Sequence, residues 1–77
     1  MPSALYQRLV TLVTPYVGEA KADGAIGRQL KHCDRTPDTF GAADYPKITA
    51  HVIGATSLYV RDPVEKQKLI DQLKAFA

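Results

Sequence analysis

The sequence predicts an all-α protein, a compact bundle of four to five short helices forming one small domain over residues 1–77. Three observations carry that prediction. Apolar residues recur at intervals of three and four, no stretch alternates convincingly between apolar and polar, and Pro follows a capping residue at Thr14-Pro15, Thr36-Pro37 and Asp62-Pro63. Proline suits the first position of a helix because the N–H it lacks would have no partner there, while Thr or Asp before it can accept from the next free amides.

At 100° per residue, Leu5, Leu9, Leu12 and Tyr16 share one stripe with Val13 beside it, which predicts an amphipathic helix over 4–14. The stripe runs through Pro15, so continuation with a kink is the alternative to a stop. Residues 15–33 read as helix despite Gly18, Gly24 and Gly27. Val17, Ala20, Gly24 and Gly27 would lie in a narrow arc of small residues suited to a close helix crossing, and Ile26, Leu30 and Cys33 on a larger face turned to the core. Glycine inside a helix costs about 1 kcal/mol relative to alanine, so a close crossing or a bend at Gly24 must return a similar amount.

The segment "DRTPDTFGAADYP" is the least regular, with a short helical turn expected at 37–40 and Phe40 as its plug into the core. Asp44-Tyr45-Pro46 is a looser start signal for a helix over 46–60, where Ile48, Val52, Ala55 and Tyr59 fall together and Ile53 and Val60 adjoin them. So wide an apolar arc predicts a central, largely buried helix, although "AHVIGATSLYV" would suit a strand on propensity alone. Asp62 with Glu65 three residues on is an acidic variant of the capping box. It opens an outer helix over 63–76 that turns Leu69, Ile70, Leu73 and Phe76 to one side.

Composition narrows the function classes. With 45% hydrophobic and 23% charged residues the chain is an ordinary globular domain, neither low-complexity nor repetitive. Ten bases against eight acids give a net charge of +2, and no cluster of four bases occurs, so nucleic-acid contact is permitted but not required. A lone cysteine, Cys33, precludes an internal disulfide and suits a reducing cytoplasm. Gln7 and Arg8 interrupt the N-terminal apolar face, and no run approaches a membrane span, so neither signal peptide nor membrane anchor is expected.

Catalytic and cofactor motifs fail on spacing. "GEAKADGA" lacks the glycine spacing and Lys-Ser/Thr of a P-loop, and no strand precedes the glycines as a dinucleotide fingerprint requires. Gly24-Ala25-Ile26-Gly27 matches the bare G-x-x-G of KH domains, yet the chain offers no sheet, and Ala25 and Ile26 supply neither charge nor hydrogen bonds. Cys33, His32 and His51 lack zinc-ligand spacing, so no metal or other cofactor is predicted. A Cys–His nucleophile pair would have little room for an orienting residue, an oxyanion hole and a pocket, so the protein reads as non-enzymatic with no small-molecule substrate. In length it resembles acyl carrier proteins, whose prosthetic-group serine sits in an Asp-Ser-Leu motif. Thr56 precedes Ser57-Leu58 here, inside a predicted helix, and that function does not carry over.

What remains is a non-catalytic protein-protein interaction module, a small adaptor or regulator acting through a helix face or by self-association. The pattern Leu9-x-x-Leu12-Val13-x-Pro15-Tyr16-Val17-Gly18, followed by a small-residue helix, a Pro-Asp loop and two amphipathic helices, resembles compact helical segments attached to bacterial signalling and adaptor proteins. Four tyrosines support association, since tyrosine joins apolar area to a polar tip. Tyr16 and Tyr59 fit core packing, so the partner-binding candidates are Tyr6, Tyr45, Arg28, Lys31 and His32. The alternative is a helix-turn-helix DNA-binding protein with Ala20, Gly24 and Leu30 at the motif's spacing. Its helix 27–35 would offer Arg28, Gln29, Lys31, His32 and Arg35 to phosphates and base edges, although Glu19 and Asp23 would bring negative charge to the same backbone. A sharp turn at Gly24 separates that alternative from a helix crossing.

Overall fold

The computed structural model describes residues 1–76. It contains α1 (Ala4–Val17), α2 (Glu19–Gln29), α3 (Tyr45–Ser57) and α4 (Pro63–Ala75). A 3-10 turn over Leu30–Cys33 prolongs α2, and another over Ala42–Asp44 leads into α3. The protein is all-α, with no strand among the described residues. Packing follows chain order: α1 lies on α2, α2 on α3, α3 on α4, and α4 returns to α1. The third helix is therefore not the single centre that its apolar arc predicted, because α2 is flanked on both sides as well.

Ser3 opens α1, its hydroxyl accepting from the Tyr6 N–H at 3.1 Å. The core face is Tyr6, Leu9 and Val13; Leu5, Leu12 and Tyr16 of the predicted stripe are only partly buried. The buried stripe is rotated from the predicted one and shares Leu9 and Val13 with it. Thr14-Pro15 does not start a helix. α1 passes through Pro15, and the Thr14 hydroxyl donates to Val10 O at 2.7 Å within the same helix instead of capping a new one.

The break falls at Gly18, where φ of 90° lies in the region only glycine enters freely. This one residue serves both helices. Its N–H donates to Thr14 O at 2.8 Å, closing α1, and its carbonyl accepts from Ala22 N–H at 2.9 Å, opening α2. Residues 15–33 are thus not one helix, and the interruption is not at Gly24, through which α2 runs without a turn.

α2 buries Ala22, Ala25 and Ile26, while Ala20 and Gly24 are exposed, so the predicted small-residue arc is not the crossing. Of that arc only Gly27 meets a neighbouring helix tightly, since a Cβ there would lie 3.3 Å from the Tyr6 hydroxyl. Leu30 completes the buried face. Asp34, left-handed at φ 58°, ends the 3-10 turn.

Thr36 heads a single turn, accepting from Thr39 N–H at 3.1 Å and Phe40 N–H at 3.0 Å. It delivers Phe40 into the core at 2% exposure, as predicted. α3 then buries Tyr45, Ile48, Val52 and Thr56; the Thr56 hydroxyl satisfies itself on Val52 O at 2.7 Å. Thr56, not Ala55, completes that face. The helix ends at Ser57, short of the expected residue 60, and tighter 3-10-like bonds carry the chain round so that Val60 is buried. Asp62 caps α4 as predicted, accepting from Val64 N–H at 2.9 Å, and Leu69 and Leu73 are fully enclosed. No helix among the described residues is long and apolar enough to cross a membrane.

Candidate functional site

The two tyrosines predicted to face a partner are instead structural. Tyr6 is 3% exposed, and its hydroxyl donates to Asp23 Oδ1 at 2.7 Å with Asp23 O at 3.1 Å, tying α1 to α2. Burial, followed by the neighbouring Asp23 carboxylate, pushes its phenol well above the ordinary tyrosine value. Tyr45 is equally buried, donates to Leu73 O, and meets Phe40 and Phe76 edge-on with centroids at 6.5 and 5.0 Å. Burial pushes its phenol up to about 12. From the sequence Tyr6 flanks the apolar stripe and Tyr45 sits at a loop-to-helix entry; the hydroxyl partners that allow full burial lie 17 and 28 residues away.

Arg28, Lys31 and His32 are exposed, as a partner-facing role requires. The rest of the proposed DNA-reading set is otherwise engaged. Gln29 Nε2 donates to Ala25 O at 3.1 Å on its own helix, and Arg35 Nε reaches Asp44 Oδ1 at 3.2 Å. Residues 27–35 do not form a recognition helix: they cross from the end of α2 through a 3-10 turn to the left-handed Asp34. Asp44 is itself a fixed point, because Oδ2 accepts from the Gly41 N–H at 2.9 Å. That backbone bond, followed by the Arg35 guanidinium, holds the carboxyl below its ordinary value against an opposing contribution from burial.

Three surface features remain. Large apolar side chains stand in solvent around the α3–α4 turn: Leu58 is 81% exposed, Val64 63% and Tyr59 43%. Tyr59, expected in the core, is turned outward under the Lys21 ammonium, 5.1 Å from its ring centroid. An open groove of roughly 750 Å³ between α1 and α2 is lined by Val10, Ala20 and Pro2, with Glu19 and Asp23 as its only charged residues. Finally, His32 and His51 stack face to face, with centroids 3.9 Å apart and planes 5° from parallel. Among the described residues no group of three or more His, Cys, Asp or Glu is placed to hold a metal ion.

The α3–α4 corner was missed because residues 46–60 read as one amphipathic helix, which put Tyr59 on the buried side. A signal was present in Val64, which lies well off the Leu69–Leu73 stripe. No family model matches the chain, and no curated protein or solved structure shows detectable similarity to it.

Proposed function

We propose that the protein is a non-catalytic protein-protein interaction module, a small adaptor or regulator, that associates through the α3–α4 corner. The observation that carries this reading is the exposure of Leu58, Tyr59 and Val64 within seven consecutive residues, while every other large apolar residue except Met1 is at least partly covered. Leucine and valine so placed keep apolar area in water that burial against a partner would release, at about 25 cal/mol per Å². Tyr59 adds a rigid ring with a polar tip, a side chain favoured at binding surfaces. The cation of Lys21 over that ring supplies the polar rim.

A second copy of the chain is the simplest occupant to test. Sedimentation equilibrium should show concentration-dependent dimers that Leu58→Asp and Val64→Asp each weaken at least tenfold, with helix content by circular dichroism unchanged. A strictly monomeric parent that also gains no affinity for any partner through this corner would overturn the reading.

A further inference from the structure

The chain's only two histidines, His32 and His51, come from the 3-10 turn after α2 and from the middle of α3, yet their rings lie parallel at 3.9 Å on the surface. Three cations stand close to the pair in the chain. Lys47 precedes His51 by four residues on α3 and so shares its face, Lys31 immediately precedes His32 in the 3-10 turn, and Arg28, at the end of α2, precedes His32 by four. All five residues are exposed. None of the three ion pairs among the described residues involves Arg28, Lys31 or Lys47. Of the nearby carboxylates, Asp44 already accepts from Gly41 and Arg35 and also feels the Lys47 charge, and Asp34, exposed, follows His32 by two residues.

We propose that this face binds single-stranded nucleic acid, with backbone phosphates on Arg28, Lys31 and Lys47 and a base stacked on the imidazole pair. The combination decides the ligand class. Cations alone would suit any polyanion, but an exposed aromatic stack beside them in the chain offers a flat surface that a nucleobase uses and an acidic side chain does not. Duplex is disfavoured because its bases are already stacked and because residues 27–35 do not form a helix that could enter a groove.

Fluorescence anisotropy with an oligo-dT strand tests the assignment. Affinity should fall with added salt on a log–log slope of about −2, the value for three phosphate contacts on a single strand, and Arg28→Ala, Lys31→Ala or Lys47→Ala should each lower the slope by about 0.7. His32→Ala and His51→Ala should each weaken binding by about fivefold or more while keeping the slope, which separates stacking from charge. Because all five side chains are exposed, circular dichroism should show unchanged helix content in every variant. Absence of binding at the lowest salt overturns the proposal, as does binding undiminished in the His32→Ala/His51→Ala double variant. Tighter binding to duplex, or displacement of the strand by poly-glutamate at equal charge, would also overturn it.

Discussion

Where α1 crosses α2, the Tyr6 side chain lies beside Gly27 with its hydroxyl over the backbone. The Tyr6 hydroxyl reaches Asp23 across the interface and sits 3.3 Å from where a Cβ at Gly27 would lie, so a methyl there is crowded by that oxygen and not opposed by the backbone angle. Gly24 and Gly54 have no such reason, since a Cβ meets nothing closer than the flexible Arg28 guanidinium at 4.0 Å in the first case and nothing within 4 Å in the second. Gly24→Ala and Gly54→Ala should therefore each stabilise the fold by about 1 kcal/mol in urea denaturation, the ordinary helix-propensity increment. Gly27→Ala should gain distinctly less. In a Tyr6→Phe background, which itself loses one hydrogen bond at about 1 kcal/mol, Gly27→Ala should recover its full increment. Equal effects at all three glycines in both backgrounds would refute this account.

Among the elements, the junction of α1 and α2 is the most constrained, because Gly18 caps two helices while holding φ of 90° and ψ of 153°. Gly18→Ala has open space for its methyl, so the loss of about 1–3 kcal/mol expected on thermal or chemical unfolding is backbone strain alone. Asp62→Ala, which removes the α4 cap, should lose about 1 kcal/mol by the same measurement. These two ends show what the sequence made legible. Asp62 was readable because capping is local: donor and acceptor lie two residues apart. Gly18 was passed over for Gly24 because three glycines in one stretch look alike, and the choice depends on where Thr14 and Pro15 already stand within α1. Phe40 could be placed by elimination, as the large apolar residue in an irregular loop. The hydroxyl partners of Tyr6 and Tyr45, the outward turn of Tyr59 and the meeting of His32 with His51 are long-range consequences of packing order, and no periodicity encodes them.

For the molecule as a whole, the same buried groups set the pH range in which the fold persists. Asp44 titrates below its ordinary value of 3.8 in the folded chain, so the unfolded chain takes up the proton first. Its contribution is intact above about pH 4 and is lost as pH falls through the folded value. Asp44→Asn keeps an acceptor for the Gly41 amide but removes the charge, and should flatten the acid limb of a stability profile. The alkaline limb has the opposite origin. Tyr6 and Tyr45 hold their protons more tightly folded than unfolded, where 10.0 is the ordinary value, so folding stability is complete below about pH 10 and declines above it. Each phenol contributes a slope of up to about 1.4 kcal/mol per pH unit. The Tyr45 share extends to about 12, and the Tyr6 share further. Phenolate absorbance should therefore still be rising as helix is lost, because the Tyr6 and Tyr45 phenols give up their protons fully only as the fold opens. Tyr45→Phe should lessen the alkaline slope; complete phenolate formation before any helix is lost would show that neither ring is held as described.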